Sequence, residues 1–138
     1  MKVTLKRLND SYHMEAVNET GCTIQMDGTE SIGGQNLGAT PMQVVLMALA
    51  GCTSIDVISI LKKMKQEVTD YRVEVDADKP ADVVPSLFTE IRLKYVLSGP
   101  ALEDAKVKRA IELSAEKYCS VSKILEHTAR IKWSYEII

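Results

Sequence analysis

Aromatic residues make up only 5% of this 138-residue chain, with a single Trp and a single Phe. That scarcity argues against the base-stacking platforms of single-strand nucleic-acid binders. An excess of positive charge is missing too. Seventeen Lys and Arg stand against 19 Asp and Glu, and the formal net charge of −2 leaves no electrostatic footprint for nucleic acid. The opening stretch, MKVTLKRLND, has no apolar segment and no cleavage site, so no secretion signal is read and a cytoplasmic location is expected. The longest uninterrupted apolar run, Val44 to Cys52, falls short of a membrane span, and no membrane partner is expected. Three cysteines without a signal argue against a disulfide framework, and no CxxC points to thioredoxin-like chemistry. His13 and His127 offer no metal-ligand spacing with these cysteines, so no metal site is expected. GxSxG, P-loop and dinucleotide patterns are absent, and no cofactor is expected.

What remains is an ordinary soluble composition, 46% hydrophobic and 26% charged, long enough for one domain, residues 1–138. Alternation in KVTLKRL, SYHMEAV and CTIQMDG predicts a three-stranded meander, with turns at Asn18 to Gly21 and at Asp27-Gly28. SIGGQNLGA is a glycine-rich connection, mobile or shaped around something else. Thr40 as N-cap and Pro41 at the first helical position start a long helix that runs to about Lys65. From Val44 to Cys52 it is apolar on every side, which implies burial all round and a second subunit as part of the cover. RVEVDAD and LFTEIRLKYVL alternate as strands. A further helix from Pro100 and Asp104 carries Val107, Ala110, Ile111, Ser114 and Tyr118 at helical spacing, a short helix follows in KILEHT, and RIKWSYEII closes as a strand. The order βββ-α-ββ-αα-β defines an α+β fold.

Cys52, in LMALAGCTS, raises the chemical question. It lies about three turns into the helix, beyond the reach of the N-terminal dipole. Asp56 follows one turn later on the same face and disfavours a thiolate, as burial does. A small packing residue is one reading. Gly51 in mid-helix costs about 1 kcal/mol relative to Ala, which implies that a partner helix or a ligand packs against this turn. Cys119, in EKYCSVSKIL, either ends one helix or begins the next, with opposite effects on a thiolate. Cys22 alternates with Ile24 and Met26 and is expected to face the core. Arg7 shares the parity of Val3 and Leu5, so it either snorkels to solvent or holds a thiolate or an anion.

GATPMQVVLMALAGCTSIDVISIL together with SAEKYCSVSKIL resembles the OsmC/Ohr family of thiol-dependent peroxidases, in its OsmC-like branch, over nearly the whole chain. The resemblance implies an intertwined homodimer with each long helix at the dimer centre. It implies that Cys52 is peroxidatic and Cys119 resolving, with an external dithiol as reductant. One position departs from the family. Where active members carry a Glu ten residues before the first cysteine, this chain has Met42, and Arg7 is the candidate for the family's activating arginine. Three readings follow: reduction of a small hydrophobic hydroperoxide, a thiol-disulfide sensor or relay, and a binding protein for a small hydrophobic ligand. In the third, Met14, Met26, Met42 and Met47 would line a dimer cleft.

Overall fold

Short alternating segments at the N-terminus build an antiparallel sheet from β1 (Val3–Arg7), β2 (Met14–Asn18) and β3 (Thr23–Met26), in that order. Register pairs Leu5 with Ala16 and Ala16 with Ile24, as the alternation predicts. The computed structural model describes residues 1–138 in two compact units, Met1–Leu46 and Met47–Ile138, divided within the long helix.

In the first unit the glycine-rich connection is built around one carboxylate. Asp27 is buried, and its oxygens accept the backbone N–H groups of Gly28, Gln35 and Leu37. Burial works to raise its pKa, but these three donors, with His13 nearby, outweigh it and hold the carboxyl below its usual range. The loop packs backbone on backbone: a Cβ at Gly34 would sit 1.9 Å from the carbonyl oxygen of Gly28. Only glycine permits that approach. Of the two expectations for this segment, shaping around something else is the outcome, and the something is Asp27.

Cys22 departs from its expected place. It lies exposed in the turn before β3, where Asn18 Oδ1 accepts its backbone N–H, so it never enters the strand whose parity it was assigned.

Helix α1 (Pro41–Lys63) begins where Thr40-Pro41 predicts. The capping contact comes from Gln43, whose side-chain oxygen accepts the N–H of Thr40. At the other end Lys65 adopts a left-handed conformation. The N–H of Gln66 reaches the carbonyl of Leu61 and that of Lys65 the carbonyl of Lys62, which closes the helix about two residues earlier than expected. By length and composition α1 could cross a bilayer. However, its Thr53 and Asp56 are hydrogen-bonded to Tyr95 and Ser114 of the second unit, the arrangement of a helix in a globular core.

In the second unit β4 (Asp70–Asp78) pairs antiparallel with β5 (Glu90–Ser98), and β5 pairs parallel with β6 (Arg130–Ile137). A parallel pair needs a long crossover, supplied by α2 (Asp104–Leu113), one π-type turn (Ser114–Tyr118) and α3 (Ser120–Leu125). Central β5 holds the core, with Ile91, Leu93, Tyr95 and Leu97 buried as read. Leu49, Val57 and Leu61 of α1 and Val107, Ala110 and Ile111 of α2 are buried with them. Tyr118 is the exception on its predicted stripe. The wider turn that begins at Ser114 breaks the helical spacing and leaves Tyr118 exposed.

The buried-all-round expectation for α1 is corrected within this chain. Leu49, Thr53, Val57 and Leu61 form its buried stripe, whereas Met47, Ile55 and Ile58 on the opposite side are exposed, Ile55 by 70%. A Cβ placed on Gly51 would meet nothing within 4 Å. The close neighbour expected at Gly51 is therefore not supplied by this chain.

Candidate functional site

Two cysteines far apart in sequence meet in the second unit. The sulfurs of Cys52 and Cys119 and a carboxylate oxygen of Asp56 all lie within 4.8 Å of one another. Cys52 and Asp56 are one helical turn apart, so α1 presents both on one face. Cys119 arrives from the break between the π-type turn and α3.

The break answers the question of which helix end Cys119 occupies. It closes the turn through its N–H to the carbonyl of Ser114, and its extended backbone makes it the N-cap of α3. Its sulfur accepts the N–H of Ser122 at 3.4 Å. An N-cap position favours a thiolate, but burial dominates. Cys119 is 0% exposed, and burial first, then the hydrogen bond with Cys52, push its thiol up to about 12, against the weaker pull of the Ser122 N–H. Cys52 is only half-buried. One thiol is accessible and the other is sealed.

Behind the pair runs a chain of buried hydroxyls. Thr53 Oγ1 lies 2.7 Å from Tyr95 Oη and 2.8 Å from Ser114 Oγ, and Ser114 Oγ donates to Asp56 Oδ2 at 3.2 Å. Burial pushes the Tyr95 hydroxyl up to about 12 despite its bond to Thr53, so it remains a neutral partner. With no freedom to swing into solvent, these groups fix Asp56 beside the sulfurs. Asp56 was read as a residue that discourages a thiolate at Cys52, and its role as one end of this relay was not read. Its partners from outside α1 come from β5 and the π-type turn, and nothing local in the sequence joins them. Tyr71 of β4 adds a hydroxyl oxygen buried without a close hydrogen bond, and burial raises its pKa against a weaker pull from Ser54.

Asp56 also lines a cleft of about 360 Å³ with Ile60, Met64, Leu113 and Tyr118. Its walls are mainly apolar, with Ser59 and Lys63 as further polar groups, and neither Cys52 nor Cys119 is among its lining residues. Arg7, the candidate activating arginine, lies exposed at the end of β1 opposite Met14. Met42 occupies the second position of α1, half-buried.

Comparison with known proteins places this site in a family context. Residues 33–134 match the family model described as OsmC-like protein. Protein YhfA of Escherichia coli K12 is 44% identical over 119 residues, covering 86% of this chain and 85% of its own. A structure solved by structural genomics is 38% identical with a TM-score of 0.87, covering 100% of this chain and 98% of its own. An organic hydroperoxide resistance protein OsmC from Legionella pneumophila shares the fold at 14% identity and a TM-score of 0.72, covering 99% and 97%.

Proposed function

Because the chain belongs to the OsmC-like family, we propose that it reduces small organic hydroperoxides with the Cys52–Cys119 pair. The observation that carries this reading is the asymmetry of two adjacent thiols, Cys52 half-buried and Cys119 sealed. The Cys52 thiolate attacks the terminal peroxide oxygen and the O–O bond breaks. Cys52 becomes a sulfenic acid, and the departing alkoxide takes up a proton to leave as the alcohol. The sulfur of Cys119 then displaces the sulfenic oxygen as water and forms the disulfide. An external dithiol exchanges with that disulfide, restores both thiols and leaves as its own disulfide. The apolar walls beside Asp56 favour an organic peroxide over hydrogen peroxide. The name of the Legionella relative points to the same substrate class.

The same proposal takes the working unit as a homodimer in the cytoplasm. Its support is the exposed stripe of Met47, Gly51, Ile55 and Ile58 on α1, an apolar face that a second copy of the helix fits. Activation is assigned without the family Glu, since Met42 cannot orient a guanidinium. Arg7 stays the candidate cation.

A second reading, a slow thiol-disulfide sensor, is favoured by one observation: the Cys119 thiol is held protonated by burial. One experiment separates the two. Reduced protein is mixed with stoichiometric cumene hydroperoxide or hydrogen peroxide, and thiol loss is followed beside Cys52→Ser and Cys119→Ser. The peroxidase reading expects fast loss of two thiols, dependent on Cys52 and faster with the organic peroxide. Loss at the rate of a free thiol would refute it, and slow formation of the Cys52–Cys119 link would identify the sensor.

A further inference from the structure

Along the sequence, His13 and His127 offer no metal-ligand spacing with the cysteines. The fold gathers a different donor set. Two sulfurs and one carboxylate oxygen lie within 4.8 Å of one another, two of them offered by one turn of α1 and the third by the start of α3. We propose that the reduced protein binds one soft divalent cation, zinc foremost, through Cys52, Cys119 and Asp56.

Three features of the site argue for it. Thiolate sulfur selects zinc over magnesium or calcium, and cysteine sulfur and carboxylate oxygen are each zinc ligands. A ligand pair one turn apart on a helix, completed by a residue from another element, holds its donors without closing a long loop. The carboxylate is also already oriented: Ser114 Oγ donates to Asp56 Oδ2, and Thr53 and Tyr95 fix Ser114 in turn. That arrangement supplies the outer-shell support that metal-bound carboxylates require.

Three protein donors leave a fourth tetrahedral position, which a water molecule completes. Cys52 and Asp56 are both half-buried, so the donor set is not sealed from solvent on the α1 side. Each thiol gives up its proton to solvent as the cation binds. The Cys52–Cys119 disulfide has no thiolate to offer, so binding belongs to the reduced state alone. The proposal stands on geometry and does not depend on peroxide turnover.

The test is a titration of reduced, chelator-treated protein with cobalt(II) under anaerobic conditions. The expected result is a thiolate-to-cobalt charge-transfer band that saturates at one ion per chain and is bleached by one equivalent of zinc. Cys52→Ser and Cys119→Ser should each abolish or halve the band, and Asp56→Asn should weaken affinity by at least about ten-fold. Cys22→Ser, in the first unit, should change nothing. Circular dichroism on each variant confirms folding, and the half-buried Cys52 and Asp56 carry the test if Cys119→Ser does not fold. Absence of a saturable band in protein whose thiols titrate as free would overturn the proposal. So would a band at full strength in Cys52→Ser, or one lost in Cys22→Ser.

Discussion

The two sheets of this protein carry the same alternating pattern and put it to different use. In β4, β5 and β6 alternate residues are buried or half-buried, and the inward face of central β5 is sealed. In β1, by contrast, every residue is exposed, and Val3, Leu5 and Ile24 of the first sheet each expose about half or more of their surface. Alternation states that a strand has an apolar face, not what covers it. In the second unit the chain supplies its own cover, and in the first it does not.

The cysteines offer the sharpest form of this contrast. Cys22 is exposed in the first unit. Cys119 is sealed in the second, with its thiol pushed up to about 12. Since only the thiolate is alkylated, iodoacetamide near neutral pH should modify Cys22 at least about a hundred-fold faster than Cys119. Mass spectrometry of the labelled peptides reads this directly. The linkage has a definite sign. A thiol whose folded pKa is raised binds its proton more tightly folded than unfolded, so its contribution is intact below about pH 8.5. It is lost as pH climbs toward about 12, and urea midpoints should fall over that window. Equal labelling of both cysteines in folded protein would erase the distinction between the units.

A smaller effect is expected from core truncation. Ile91→Ala, in the sealed strand, should cost about 2–5 kcal/mol in urea unfolding. Ile24→Ala, 52% exposed, should cost less than about 1 kcal/mol at protein concentrations where the chain is monomeric. If the second substitution costs as much as the first there, the exposed sheet is covered after all and the comparison breaks.

Legibility in the sequence followed the range of the interactions. The strands of the second sheet, the entry of α1 at Thr40-Pro41 and the pairing of segments in the meander all rest on neighbouring residues, and all could be read. Cys119 could not be placed from EKYCSVSKIL, because the outcome depends on a turn one residue wider than α-helical from Ser114 onward. The Tyr95–Thr53–Ser114–Asp56 relay was invisible for a different reason. Its members lie on β5, α1 and the π-type turn, and each alone is an ordinary polar residue. Meanwhile the family resemblance singled out Cys52 and Cys119, but it gave no hint that Asp56 joins them and also lines the cleft.

The relay can be broken at its hub. Thr53→Val removes the hydroxyl shared by Tyr95 and Ser114 with little change in volume and strands the buried Tyr95 hydroxyl without a partner. The expected loss is about 1–3 kcal/mol. Tyr95→Phe on the same background should recover part of it, since the stranded group is then gone. A double-mutant cycle reads the coupling, and strict additivity would mean that the hydroxyls do not act as a chain.

Gly51→Ala probes the two faces of α1, with the smallest expected effect. In the chain by itself the added methyl meets open space. A mid-helix Gly costs about 1 kcal/mol relative to Ala, so at high dilution the variant should be more stable by about that amount. In a homodimer packed along Met47, Gly51, Ile55 and Ile58, the same methyl enters the helix–helix contact and should weaken self-association. The two effects oppose each other, and protein concentration selects between them. Thermal melts from dilute to concentrated protein, read beside sedimentation, should show a gain that reverses as dimer forms. A gain at every concentration would place the second copy elsewhere. It would also leave Gly51 as a helix defect for which the fold gives no physical reason.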